Sequence, residues 1–65
     1  MHFEDIKRFI AEKGYRTKSE IVAQFLNENK ELLESNLKFL ESKNQVRFVK
    51  FSIMDKIDLL YYIPA

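Results

Sequence analysis

Two groups of residues in this chain could carry chemistry, and in both cases the chemistry is contact rather than catalysis. Lys30, Ser35, Lys38 and Ser42 recur at helical spacing, and Arg47, Lys50 and Lys56 follow in a β-rich stretch. Cations and hydroxyls in that order can reach the phosphates and base edges of a duplex, with Lys18 assisting at a helix start. The second group is apolar: Val49, Phe51, Ile53, Met54, Leu60 and Tyr62. These side chains outnumber the positions that a small core can absorb on one side of a hairpin, so they are candidates for a protein or homodimer interface.

Catalytic constellations are missing. There is no glycine-rich phosphate loop, and with no cysteine the chain offers no thiolate nucleophile, disulfide or iron–sulfur ligand. The one histidine, His2, stands beside Met1 and is read as a solvated terminal side chain without companion ligands. The carboxylates fall on solvated helix faces, where pairs such as Glu34 with Lys38 are expected at i,i+4. Neither an enzyme nor a metal, cofactor or small-molecule site is expected. Protein is the expected partner, and DNA the alternative.

The elements that must position these groups follow from periodicity. Phe3, Ile6, Phe9, Ile10 and Lys13 define a helix over 3–13, closed by Gly14, the only glycine. Tyr15 and Arg16 are an extended linker or a very short strand reaching Thr17. Thr17-Lys18-Ser19-Glu20 has the form of a capping box, opening a second helix over 18–26 that buries Ile21, Val22, Phe25 and Leu26. Asn27-Glu28-Asn29 breaks it and caps a third helix over 30–43, in which Leu33, Leu37 and Leu40 form a stripe widened by Leu32, Asn36 and Phe39. Asn44 is the expected left-handed residue beyond it. Strands follow over 46–51 and 59–63, joined by a loop from Ser52 to Asp58.

That order spells an α+β winged helix: a helix, a helix-turn-helix and a two-stranded hairpin, with an optional short strand at 15–17, in one domain over 1–65. The expected core is Ile6, Ile10, Ile21, Val22, Phe25, Leu33, Leu37, Leu40, Val46, Phe48 and Tyr61, and Phe3, Phe9 and Phe39 are also read as core. One of Tyr61 and Tyr62 should face outward, because a buried phenol must still satisfy its hydroxyl. Composition agrees with a packed domain, at 46% apolar and 14% aromatic residues. The charged residues, 32% of the chain, nearly cancel to +1, whereas a dedicated nucleic-acid binder usually carries a basic excess. No apolar run is long enough to span a bilayer and no basic-then-apolar leader is read at the start, so a cytoplasmic protein is expected.

The segments Ile6-Lys7-Arg8-Phe9-Ile10-Ala11-Glu12-Lys13-Gly14, Phe25-Leu26-Asn27, Leu32-Leu33, Leu37-Lys38-Phe39-Leu40-Glu41-Ser42 and Val46-Arg47-Phe48-Val49 carry a resemblance. Through them the chain resembles the small FeoC-like winged-helix proteins, accessories of bacterial ferrous-iron transport. The resemblance implies either regulation of transcription or docking on the cytoplasmic part of the transporter. Many members hold a cysteine cluster in the wing. This chain has none, so docking is the role that carries over.

Charge orders the two readings. Glu31, Glu34 and Glu41 against Lys38 leave the exposed face of the third helix net negative, an unfavourable surface for a polyanion. The hairpin reads as apolar on two faces, with Leu59, Tyr61 and Ile63 on one and Leu60 and Tyr62 on the other. A twist or bulge near Val49 would turn both sets inward. Without one, the second face is open for docking.

Overall fold

Local sequence signals place nearly every helix end. The computed structural model describes residues 1–65 and consists of α1 (Phe3–Lys13), β1 (Tyr15–Thr17), α2 (Lys18–Gln24), α3 (Lys30–Ser42), β2 (Arg47–Ile53) and β3 (Lys56–Tyr62). The α1 helix stops where Gly14 takes φ 93° and its amide donates to the Ile10 carbonyl at 2.8 Å. The α2 helix starts at a reciprocal cap: the Glu20 amide donates to Thr17 Oγ1 and the Thr17 amide to Glu20 Oε1, both at 3.1 Å. That bond from the Thr17 amide holds the Glu20 carboxyl below its usual range. Asn29 Oδ1 accepts from the amides of Glu31 and Leu32 to open α3, and Asn44 closes it at φ 58°.

Two helix-end expectations are corrected. His2 is not an idle terminal side chain. Its Nδ1 accepts from the Glu4 amide at 3.2 Å, Asp5 Oδ2 accepts from the His2 amide at 2.9 Å, and the imidazole lies 4.1 Å from the Phe3 ring. Histidine is an uncommon N-cap, so the residue type gave no cue. The α2 helix ends at Gln24 rather than Leu26, and Leu26 is exposed instead of buried. The Phe25 amide already closes the last turn onto Ile21, and Glu28 then bonds back to the Phe25 carbonyl.

The sheet is three-stranded and antiparallel in the order β1-β3-β2. The segment at 15–17 does form a strand, and it pairs with β3, not β2, so that Tyr15 lies opposite Tyr62. The hairpin is longer than expected. β2 and β3 pair from Arg47–Tyr62 to Ile53–Lys56, and the expected loop from Ser52 to Asp58 is in fact strand plus a two-residue turn. Met54 and Asp55, at φ 49° and 65°, form that turn. Both central residues at positive φ match the right-handed twist of the flanking strands, but such turns usually signal themselves with Asn-Gly or Asp-Gly. Met-Asp did not.

The core sits between the helices and one sheet face. Ile6, Ile10, Ile21, Leu33, Leu37, Leu40, Val46 and Tyr61 are buried, and Phe3, Phe9, Val22, Phe25, Leu59 and Ile63 pack partly buried against them. Phe48, expected in this group, is 41% exposed, because it sits at the margin of the helical cover with only Tyr61 as an aromatic neighbour, at 5.5 Å. Phe39 and Leu32 are likewise exposed on the flanks of α3. Phe39 stacks on Phe3 at 4.7 Å, so its contact is with the rim of α1 rather than the interior. Asn36, on the same helix, has its buried Nδ2 without a hydrogen-bond partner.

Candidate functional site

Register decides which of the apolar hairpin residues share a surface. Opposed residues of an antiparallel pair project to the same face. The pairs Arg47–Tyr62, Val49–Leu60, Phe51–Asp58 and Ile53–Lys56 therefore lie on one face, and Phe48–Tyr61, Lys50–Leu59 and Ser52–Ile57 on the other. Tyr61 is only 3% exposed, which makes its side the inner face, against the helices. Burial pushes the Tyr61 phenol up to about 12, reinforced by the negative charges of Glu41 and Glu34 on α3. No bulge interrupts the pairing, so the two apolar sets are not both turned inward.

The outer face thus gathers Val49, Phe51, Ile53, Leu60 and Tyr62, five of the six residues expected at an interface. Met54, the sixth, caps the hairpin tip and is 92% exposed. The expected separation of the two tyrosines also occurs, with Tyr61 inside and Tyr62 on the outer side. Tyr15 joins the outer face opposite Tyr62, an addition that sequence periodicity missed, since only the long-range pairing of β1 with β3 puts it there. Toward the tip, Phe51, Ile53 and Met54 with Thr17, Lys56 and Asp58 border an open groove of about 330 Å³. Asp58 accepts from the Ser19 hydroxyl at 2.7 Å, which ties the hairpin to the start of α2. Beyond that tie the hairpin leaves the helices behind, and even Ile57, on the inner side, is 70% exposed.

The cationic residues are not brought to one surface. Lys30, Ser35 and Lys38 surround a shallow concavity of about 510 Å³ on α3, together with Glu31 and Glu34. Lys50 projects to the inner side of the hairpin, whereas Arg47 and Lys56 project to the outer side. Arg47 Nε donates to Asn44 Oδ1 at 3.0 Å, and the Ser42 hydroxyl donates to the Phe39 carbonyl at 2.7 Å, so both already have intramolecular partners. The expected Glu34–Lys38 pair is replaced by a contact between Lys18 Nζ and Glu34 Oε1 at 2.6 Å. The lysine at the start of α2 thus reaches a carboxylate of α3. This partner offsets one of the acids that made the α3 face look negative.

No group of three or more His, Cys, Asp or Glu side chains is disposed to hold a metal ion, and no helix is long and apolar enough to cross a membrane. No protein-family model, curated protein or solved structure matches this chain.

Proposed function

We propose that this protein is a non-enzymatic winged-helix docking module, FeoC-like in role, that engages a protein partner through the outer face of its wing. The observation that carries this reading is the unbroken register that puts Val49, Phe51, Ile53, Leu60 and Tyr62 on one sheet face, with Val49 and Ile53 exposed and the other three half-buried. An antiparallel sheet with a solvated second face normally alternates apolar with polar residues. Here the second face keeps its apolar side chains at a cost in solubility, which a partner surface would offset. The FeoC-like resemblance adds the cytoplasmic part of a ferrous-iron transporter to the candidate partners, alongside a second copy of the chain.

Amide spectra of the isotope-labelled chain test this, recorded across a concentration series and during titration with that transporter domain. Shifts at Val49, Phe51, Leu60 and Tyr62 in at least one series are expected. Invariant spectra in both would overturn the reading.

DNA binding is the second reading. Its support is the Lys30–Ser35–Lys38 concavity with Glu34 paired to Lys18. It ranks lower because Lys50 and the Arg47–Lys56 pair project from opposite sheet faces, so the wing presents no single cationic ridge. Duplex affinity measured at several salt concentrations decides it. A slope that flattens when Lys30 and Lys38 become alanine supports contact at α3, and no binding at low salt removes the reading.

A further inference from the structure

We infer that a second copy of this chain adds antiparallel along the free edge of β2 about a twofold axis at Phe51. This pairing extends the sheet in its own plane and leaves the outer apolar face open, so it goes beyond the docking reading and does not replace its partner.

Three features support it. First, β2 is an edge strand of seven residues, with β3 on one side only. It carries no proline and no bulge, and its only charged residues are Arg47 at its start and Lys50 amid Phe48, Val49, Phe51 and Ile53. Second, the turn sets the hydrogen-bond phase. The Met54–Asp55 turn makes Ile53 and Lys56 a bonded pair, so alternation turns Val49 and Phe51 toward β3. The amides and carbonyls of Phe48, Lys50 and Ser52 then point outward, in phase for a second strand.

Third, one register is self-complementary in charge and size. In a joined sheet the faces must match, so the twofold passes through a single residue. Centred on Lys50, it would set two lysines directly opposite each other, which is destabilising. Centred on Phe51, it sets Phe51 against itself, Val49 against Ile53, and Lys50 against Ser52. The same register brings Arg47 level with Asp55 of the second copy and Phe48 level with its Met54. It also sends the two helical bodies to opposite ends of a six-stranded sheet, out of each other's way.

Because the chain has no cysteine, single-cysteine variants read the register directly. Under mild oxidation Phe51→Cys is expected to give a disulfide-linked dimer, since a directly opposed pair lies within bridging distance. Lys50→Cys and Val49→Cys are expected to stay monomeric. Bridging by either of those instead overturns the register. Sedimentation equilibrium of the unmodified chain is expected to show a concentration-dependent dimer. Ser52→Pro should raise its dissociation constant about 10-fold or more, because it removes an outward amide from each copy while leaving the outer apolar face unchanged. A monomer at every concentration, with no Phe51→Cys bridge, overturns the homodimer. If the transporter domain still shifts the outer-face amides in that case, docking itself survives.

Discussion

Leu60, Tyr61 and Tyr62 are consecutive residues of β3, yet they meet opposite fates. Tyr61 is buried in the core with its phenol raised to about 12, while Leu60 and Tyr62 project to the opposite face and stay half-buried. The residue types on the two faces are nearly alike. What separates them is the side from which the helices approach, and the number of helices is too small to cover both. Hydrophobicity alone therefore does not tell core from surface on this sheet; the side on which the helices lie does.

Breaking the inner face has the largest effect. Leu37→Ala removes a fully buried side chain from the centre of the core and is expected to cost about 2–5 kcal/mol. In so small a domain that is most or all of the stability. Thermal unfolding followed by circular dichroism checks it, and a cooperative melt near that of the unmodified chain would show that the inner face is not the core. Tyr61 supplies a pH test of the same face. Its folded-state value of about 12 lies above the ordinary tyrosine value of 10.0, so its contribution is complete below pH 10 and is lost as pH rises toward 12. Urea midpoints measured from pH 8 to 12 should fall over this range, and the fall should flatten in Tyr61→Phe.

The outer side of the hairpin responds differently. Replacing Met54-Asp55 with Asn-Gly suits both left-handed positions and is expected to raise stability by about 0.5–1 kcal/mol. An unchanged or lower urea midpoint would mean that the turn is not of this type. The smallest effect is expected at Val49→Thr, within about 0.5 kcal/mol, because the outer-face side chain is 47% exposed and leaves no cavity. A loss as large as that of Leu37→Ala would erase the distinction between the faces. The Glu20 carboxyl, held below its usual range by the Thr17 amide, gives stability present at neutral pH and lost in acid as pH falls through its folded value. Glu20→Gln should flatten the acid limb of the stability profile.

What the amino-acid sequence determined unaided is everything governed by contacts within a few residues. Gly14, Thr17 with Glu20, Asn29 and Asn44 mark helix ends through caps and left-handed positions, and the leucines of α3 mark its buried stripe through helical periodicity. The parity of Val49, Phe51, Leu60 and Tyr62 was legible as well, because the strand period of two is local. His2 and the Met54–Asp55 turn obey the same local rules through unusual residue types, and they were missed for that reason. Only tertiary structure decided how far the helices extend over the hairpin, which leaves Phe48 at the margin and Ile57 bare. It also decided that Lys18 crosses to Glu34, that β1 brings Tyr15 to the outer face, and that Lys50 parts from Arg47 and Lys56. Each of these depends on packing between segments far apart in the chain, and no local preference encodes it.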